Sequence, residues 1–130
     1  MSITNANGKV CYIELPTGDP ARSAEFYSAV FGWTIRTRGD GTTAFDDGVE
    51  VSGAFVRGRP PAREAGLLVY VMVADAEATL RKITANGGEI LDPIQPGARD
   101  VVARFRDPAG NLMGVYVEKA LAQGRSAKNS

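Results

Sequence analysis

A strand-and-helix unit that occurs twice along the chain constrains the fold more than any other feature. Asp19 and Asp75, 56 positions apart, each precede an amphipathic helical segment. Asp is a preferred N-cap residue, and Pro20 suits the first helical position. One β-rich segment precedes each helix and three follow it, with turns rich in Gly, Asp and Asn between them. The sequence therefore predicts the order βαβββ, a linker and βαβββ, which is an internal duplication.

Caps and breaker residues set the predicted bounds of the elements. We predict a helix at 21–31, a second helix that begins after Asp75, and strands at 10–16, 33–38, 42–45, 49–56, 67–73, 89–91, 101–104 and 112–117. Gly58, Pro60 and Pro61 mark a linker, and residues 92–99 form a loop. The predicted domain is a single one at 8–118, made of repeats 8–57 and 66–118 and followed by a polar tail at 119–130.

The composition excludes several classes of partner and chemistry. Fifteen basic and fifteen acidic residues cancel, so the net charge favours neither nucleic acid nor a membrane surface. The apolar runs are too short to span a bilayer. A single cysteine allows no intrachain disulfide, and a sequence without histidine lacks the commonest metal ligand and general base. We predict a cytoplasmic protein whose partner is a small molecule.

Five short motifs, in this order, identify a family. They are YIELP at 12–16, DPARSAEFY at 19–27, VFGW at 30–33, NGG at 86–88 and DPAGN at 107–111. Together they resemble the vicinal-oxygen-chelate superfamily, which includes glyoxalases, bleomycin-resistance proteins and extradiol dioxygenases. The resemblance covers nearly the whole chain. It is nearest to a glyoxalase-like subgroup related to lactoylglutathione lyases, and it implies a homodimer.

The resemblance also implies four metal-binding positions, which are usually histidine, glutamine or glutamate. In this chain they fall on Tyr12, Gly53, Leu68 and Gly114, and these side chains cannot form a standard metal site. We therefore predict no metal and no cofactor. Glu14 is the first candidate ligand of a non-standard divalent-metal site; the others, which lie near a turn, are Asp46, Asp47 and Glu50.

We expect the two units to pair, because one helix cannot cover a whole sheet. The predicted class is α+β, in which two βαβββ modules form a cupped, mixed, largely antiparallel sheet with helices on its outer face. Strand alternation predicts which side chains line the cup. The predicted ligand-binding residues are Tyr12, Glu14, Phe55, Leu68, Tyr70, Met72, Leu112 and Tyr116. The alternative is that the rings fill the core. Cys11 is expected to pack under the helices and Trp33 to anchor the core.

Glu14 is the one strongly polar group predicted to lie in this apolar pocket. Two interpretations of it remain open. It pairs with an arginine such as Arg36 or Arg104, or it is unpaired and buried. In the second case its pKa would be raised, and it is the candidate general base of an enzyme.

Three functions are compatible with these features. The first is a metal-free protein that binds an apolar or aromatic small molecule in the cup, as bleomycin-resistance proteins do. The second is a lyase, isomerase or dioxygenase-type enzyme that uses Glu14, with or without a non-standard metal site. The third is a regulatory or structural protein whose sheet edges pair with another chain. The sequence does not decide whether the protein is an enzyme.

Overall fold

The computed structural model describes residues 6–64, 66–92 and 101–117, without the side chains of 101 and 102. The elements are β1 (Tyr12–Pro16), α1 (Pro20–Phe31), β2 (Thr34–Thr37), β3 (Thr43–Asp46), β4 (Ser52–Val56), β5 (Tyr70–Val73), α2 (Ala76–Ala85), β6 (Glu89–Ile90), β7 (Val101–Arg106) and β8 (Leu112–Val117). The predicted order of two βαβββ units is confirmed. The predicted tail at 119–130 lies outside the described residues, as does most of the predicted loop at 92–99.

Both helices begin at the predicted caps. The Asp19 side chain accepts a hydrogen bond from the Arg22 N–H at 3.2 Å, and Asp75 accepts one from Ala78 at 3.0 Å. Helix α1 ends at Gly32, whose φ of 74° lies in the left-handed region that favours glycine. In the described part of the chain, neither helix is long and apolar enough to cross a membrane.

The strands form two four-stranded sheets, in the orders β1-β4-β3-β2 and β5-β8-β7-β6. Each sheet has one parallel pair, β1 with β4 or β5 with β8, and two antiparallel pairs. The mixed, largely antiparallel character is therefore as predicted. Each βαβββ unit contributes one of the two sheets, and β1 and β5 are edge strands of their sheets.

One aromatic core joins the two units. Trp33 stacks between Tyr27 and Phe45, with ring centroids 4.7 and 4.6 Å away, which confirms its predicted role as a core anchor. Phe26 of α1 also lies 6.0 Å from Phe105 of β7, in the other unit. Helix α1 thus packs against both sheets, and neither unit has a core of its own.

A buried polar network ties the turn before β8 to the first unit. Tyr27 donates a hydrogen bond to Asp107 at 2.8 Å. Asn111 donates from Nδ2 to the Pro16 carbonyl at 2.7 Å and accepts from the Ala62 N–H at 2.8 Å. Burial raises the pKa of Asp107, and hydrogen bonds from Asn111 and Tyr27 oppose that rise. The network fixes the linker and β1 against the second unit.

Candidate functional site

Each sheet has one face against the shared core and one face turned away from it. Residues paired across neighbouring strands point to the same side of a sheet. On the first sheet the register puts Tyr12, Glu14, Arg36, Ala44, Asp46, Ser52 and Ala54 on the face turned away. On the second it puts Tyr70, Met72, Arg104, Leu112, Gly114 and Tyr116 there. We call these the first and second cup faces.

Phe55 lies on the core side, which corrects the prediction that it lines the cup. Its side chain is 2% exposed, and its ring lies 5.7 Å from that of Tyr27 in α1. The prediction equated Gly53 with Gly114, 61 positions away. In the first sheet the Ser52 N–H donates a hydrogen bond to the Cys11 carbonyl, and in the second the Gly114 N–H donates one to the Val69 carbonyl. Cys11 and Val69 each stand directly before an edge strand, so Gly114 corresponds to Ser52 and not to Gly53. A one-residue slip moves every side chain of a strand to the other face.

The Tyr70 ring packs over Gly114 of β8 on the second cup face. A Cβ added at Gly114 would come within 2.5 Å of the Tyr70 ring, so the ring occupies the space that a side chain would fill. Tyr70 is nevertheless 46% exposed. Met72 follows it along β5 and is exposed, and Tyr116 pairs with Met72 and is half-buried. Three predicted site residues therefore lie together around a flat aromatic surface.

The first cup face has a floor of small residues beneath long side chains. Ala44 and Ala54 pair across β3 and β4 and are 0% and 1% exposed. The guanidinium carbon of Arg38 lies 5.3 Å from the centroid of the Tyr12 ring. Tyr12 lies on β1 and Arg38 directly follows β2, and these strands are the two edges of this sheet. At about 4.8 Å between neighbouring strands, the two edges are roughly 14 Å apart. The two side chains must therefore meet above the alanine floor.

Glu14 is exposed and paired, so the condition under which it would act as a general base is not met. Its carboxylate forms an ion pair with Arg59 of the linker. The two arginines considered as its partners have other carboxylates, since Arg36 pairs with Asp46 and Arg104 with Asp92. Hydrogen bonds from Arg36 and Ser52 lower the pKa of Asp46, and one from Arg104 lowers that of Asp92.

The remaining predicted site residues lie at the margins of the cup faces. Leu68 precedes β5 and is half-buried. Leu112 is buried, and its N–H donates a hydrogen bond to the Ala62 carbonyl of the linker. Cys11 is exposed, which corrects the expectation that it packs under the helices. The strand begins only at Tyr12, so strand alternation does not extend back to Cys11.

The donors on the cup faces do not suit a divalent metal. Gly53 points into the core, where a Cβ would overlap the Ile13 carbonyl oxygen, and the position of Gly114 is covered by the Tyr70 ring. Glu14 and Asp46 are held by arginines. Within the described ranges, no three side chains of His, Cys, Asp or Glu are grouped as metal ligands. No chemical step through a metal follows from this arrangement.

Sequence reasoning considered Arg36 and Arg104 only as possible partners of Glu14, and it missed Arg38. Arg36 and Arg38 alternate along one predicted strand, and this spacing alone places both on one face. Arg59 belongs to the linker, so no strand pattern indicates its contact with Glu14. A cavity of about 250 Å³ also lies at the start of α1, beside Thr17, Arg22 and Pro108, away from both cup faces.

The chain combines tandem βαβββ units with sheet faces that carry aromatic and arginine side chains, and comparison with known proteins gives the family. The profile of the glyoxalase/bleomycin resistance protein/dioxygenase superfamily matches residues 9–115. The chain belongs to this superfamily.

Among curated proteins, the chain is 29% identical to the anthracycline biosynthesis protein DnrV of Streptomyces peucetius, over 92% of this chain and 50% of DnrV. It therefore spans about half the length of that relative. It is 32% identical to a glyoxylase-like domain-containing protein of Didymella fabae, over 68% of this chain and 75% of the relative.

Among solved structures, the fold matches TnmS3, an antibiotic binding protein from Streptomyces sp. CB03234. The TM-score is 0.66 with 20% identity, and the match covers 89% of this chain and all of TnmS3. At this identity the likeness establishes the fold alone.

Proposed function

We propose that this protein binds a small planar aromatic molecule on its cup faces, without a metal. The observation that carries the proposal is the Tyr70 ring, which packs over Gly114 and is 46% exposed. An exposed ring fixed against the backbone is a preformed surface for stacking, and it loses little conformational freedom when a ligand binds. The names of DnrV and TnmS3, which refer to anthracycline biosynthesis and antibiotic binding, support a ligand of this class.

The test is binding of a neutral planar probe, 1,4-dihydroxyanthraquinone, followed by its visible absorbance and by calorimetry. We expect saturable binding, which Tyr70→Ala weakens by about tenfold or more, since base-like stacking on one aromatic side chain contributes about 1–3 kcal/mol. Tyr70→Phe is the matched control, because it keeps the ring and should bind like the wild type. Equal binding by the wild type and Tyr70→Ala would contradict the proposal.

We also propose that the protein is a homodimer in which a second copy covers the cup-face margins. Val10 and Leu67, which precede the edge strands β1 and β5, are 70% and 89% exposed. Apolar side chains beside open strand edges favour association with another chain. Sedimentation should show a dimer for the wild type and a monomer for Leu67→Asp, with Thr84→Asp on the exposed face of α2 as the control. A monomeric wild type at micromolar concentration would refute this.

A further inference from the structure

One arginine beside the first cup face, Arg38, forms no ion pair with a described carboxylate. Four other arginines on or beside the cup faces do: Arg36 with Asp46, Arg59 with Glu14, Arg104 with Asp92, and Arg106 with Glu89 at 4.0 Å. Arg38 has no carboxylate within 4.0 Å among the residues that the structure describes, and its guanidinium faces the Tyr12 ring instead. Two carboxylates act on Arg38 only from beyond ion-pair distance: Asp46, which accepts hydrogen bonds from Arg36 and Ser52, and Asp40, which accepts one from the Thr42 N–H.

Both the position and the charge of Arg38 suit the binding of a ligand. The side chain extends from the β2 edge over the buried floor of Ala44 and Ala54 to meet Tyr12. It is half-buried, so its charge is less screened by water than that of an arginine on a helix surface. A guanidinium presents planar paired donors that match a carboxylate or a phenolate, and it holds them beside an aromatic ring. An aromatic ring that carries an anionic group complements both features at once.

We propose that the ligand is an aromatic anion, with a carboxylate or acidic phenolate that binds Arg38 while its ring contacts the exposed side chain of Tyr12. This inference rests on the proposed function and specifies its ligand class. The other candidates for this face are neutral and cationic rings. A neutral ring gives Arg38 no carboxylate or phenolate partner, and a cationic ring is repelled by it.

The test compares two probes that differ only in charge, anthraquinone-2-carboxylate and anthraquinone-2-carboxamide, near neutral pH. We expect the wild type to bind the carboxylate roughly tenfold more tightly than the carboxamide at low salt, as a charge-assisted hydrogen bond provides. Added salt should reduce this preference. Arg38→Met keeps an unbranched apolar side chain but removes the charge. It should lower the preference to about twofold or less and leave carboxamide binding little changed.

Arg81→Met on the exposed face of α2 is the matched control, because it changes the net charge equally without touching the cup faces. It should retain the wild-type preference, and thermal unfolding should show that both variants are folded. Equal binding of the two probes to the wild type, or a preference that persists in Arg38→Met, overturns the inference while the proposed function stands. If the wild type binds neither probe, the proposed function itself fails and this inference fails with it.

Discussion

Gly53 and Gly114 occupy equivalent strands and yet have different roles. A Cβ at Gly53 would overlap the backbone carbonyl oxygen of Ile13 and the ring of Phe45, both of which are fixed in the core. The three atoms nearest to a Cβ at Gly114 all belong to the ring of Tyr70, a side chain that is 46% exposed. Gly53 therefore allows β1 and β4 to pair closely, whereas Gly114 allows the Tyr70 ring to pack over β8.

Alanine at these two positions should separate the two roles. We expect Gly53→Ala to lower the free energy of unfolding by about 3 kcal/mol, because overpacking against fixed backbone cannot relax. Gly114→Ala should cost about 1 kcal/mol or less in urea unfolding, yet weaken binding of the anthraquinone probes, because Tyr70 must tilt. Equal losses of stability in the two variants would show that the Tyr70 ring is held as firmly as the backbone.

The Tyr27–Asp107 pair predicts a pH dependence of stability. The folded-state pKa of Asp107 is raised by burial, so the native state holds this proton more tightly than the unfolded chain does. The contribution of Asp107 to stability therefore falls as pH rises from the unfolded carboxyl value, about 4, through the raised folded value. The hydrogen bond from Tyr27 limits this loss, because it favours the ionised carboxylate.

Tyr27→Phe removes that hydrogen bond and should raise the pKa of Asp107 further. We expect a loss of about 1 kcal/mol in the free energy of unfolding at neutral pH and a smaller loss near the acid end, where Asp107 is protonated. Denaturant unfolding of both proteins at several pH values measures the difference. A loss of stability that is the same at every pH would mean that Tyr27 acts only by packing.

At the scale of elements, Asn111 is the main connection between the linker, β1 and the turn before β8. Its amide binds the Pro16 carbonyl, the Ala62 N–H and the Asp107 carboxylate. Asn111→Ala should cost about 2–3 kcal/mol, because it leaves buried backbone groups without partners. Asn86→Ala, which loses one hydrogen bond to Lys82 at the end of α2, should cost well under 1 kcal/mol. Similar losses in the two variants would contradict the connecting role.

The elements were predictable from sequence to the extent that local signals define them. Asp19, Asp75 and Gly32 gave the helix ends, and β8 matched its predicted bounds, because caps and turns act over a few residues. The face of β4 was mispredicted because strand register depends on pairing with β1, which is distant in sequence. Tyr70 and Met72 were placed on the correct face, since alternation within one strand suffices there. The ion pair of Glu14 with Arg59 depends on the path of the linker, which no local pattern indicates.

At the scale of the whole molecule, the shared core predicts a single unfolding transition. Trp33 is the only tryptophan and lies in the first unit, whereas Phe105 lies in the second. Phe105→Ala should cost about 3–5 kcal/mol, and it should shift the Trp33 fluorescence transition as far as the transition seen by circular dichroism. If the Trp33 fluorescence transition kept its wild-type midpoint while the circular dichroism transition shifted, the two units would unfold independently.

The aromatic packing of α1 against β7 also has a consequence for the ancestry of the chain. A single βαβββ unit has no Phe105 of its own to cover Phe26, so a half-length forerunner would have buried these rings only by associating with a second copy. Two units in one chain make that association intramolecular. They also allow the two halves to differ, so that the first sheet carries Arg38 against Tyr12 and the second carries Tyr70 over Gly114.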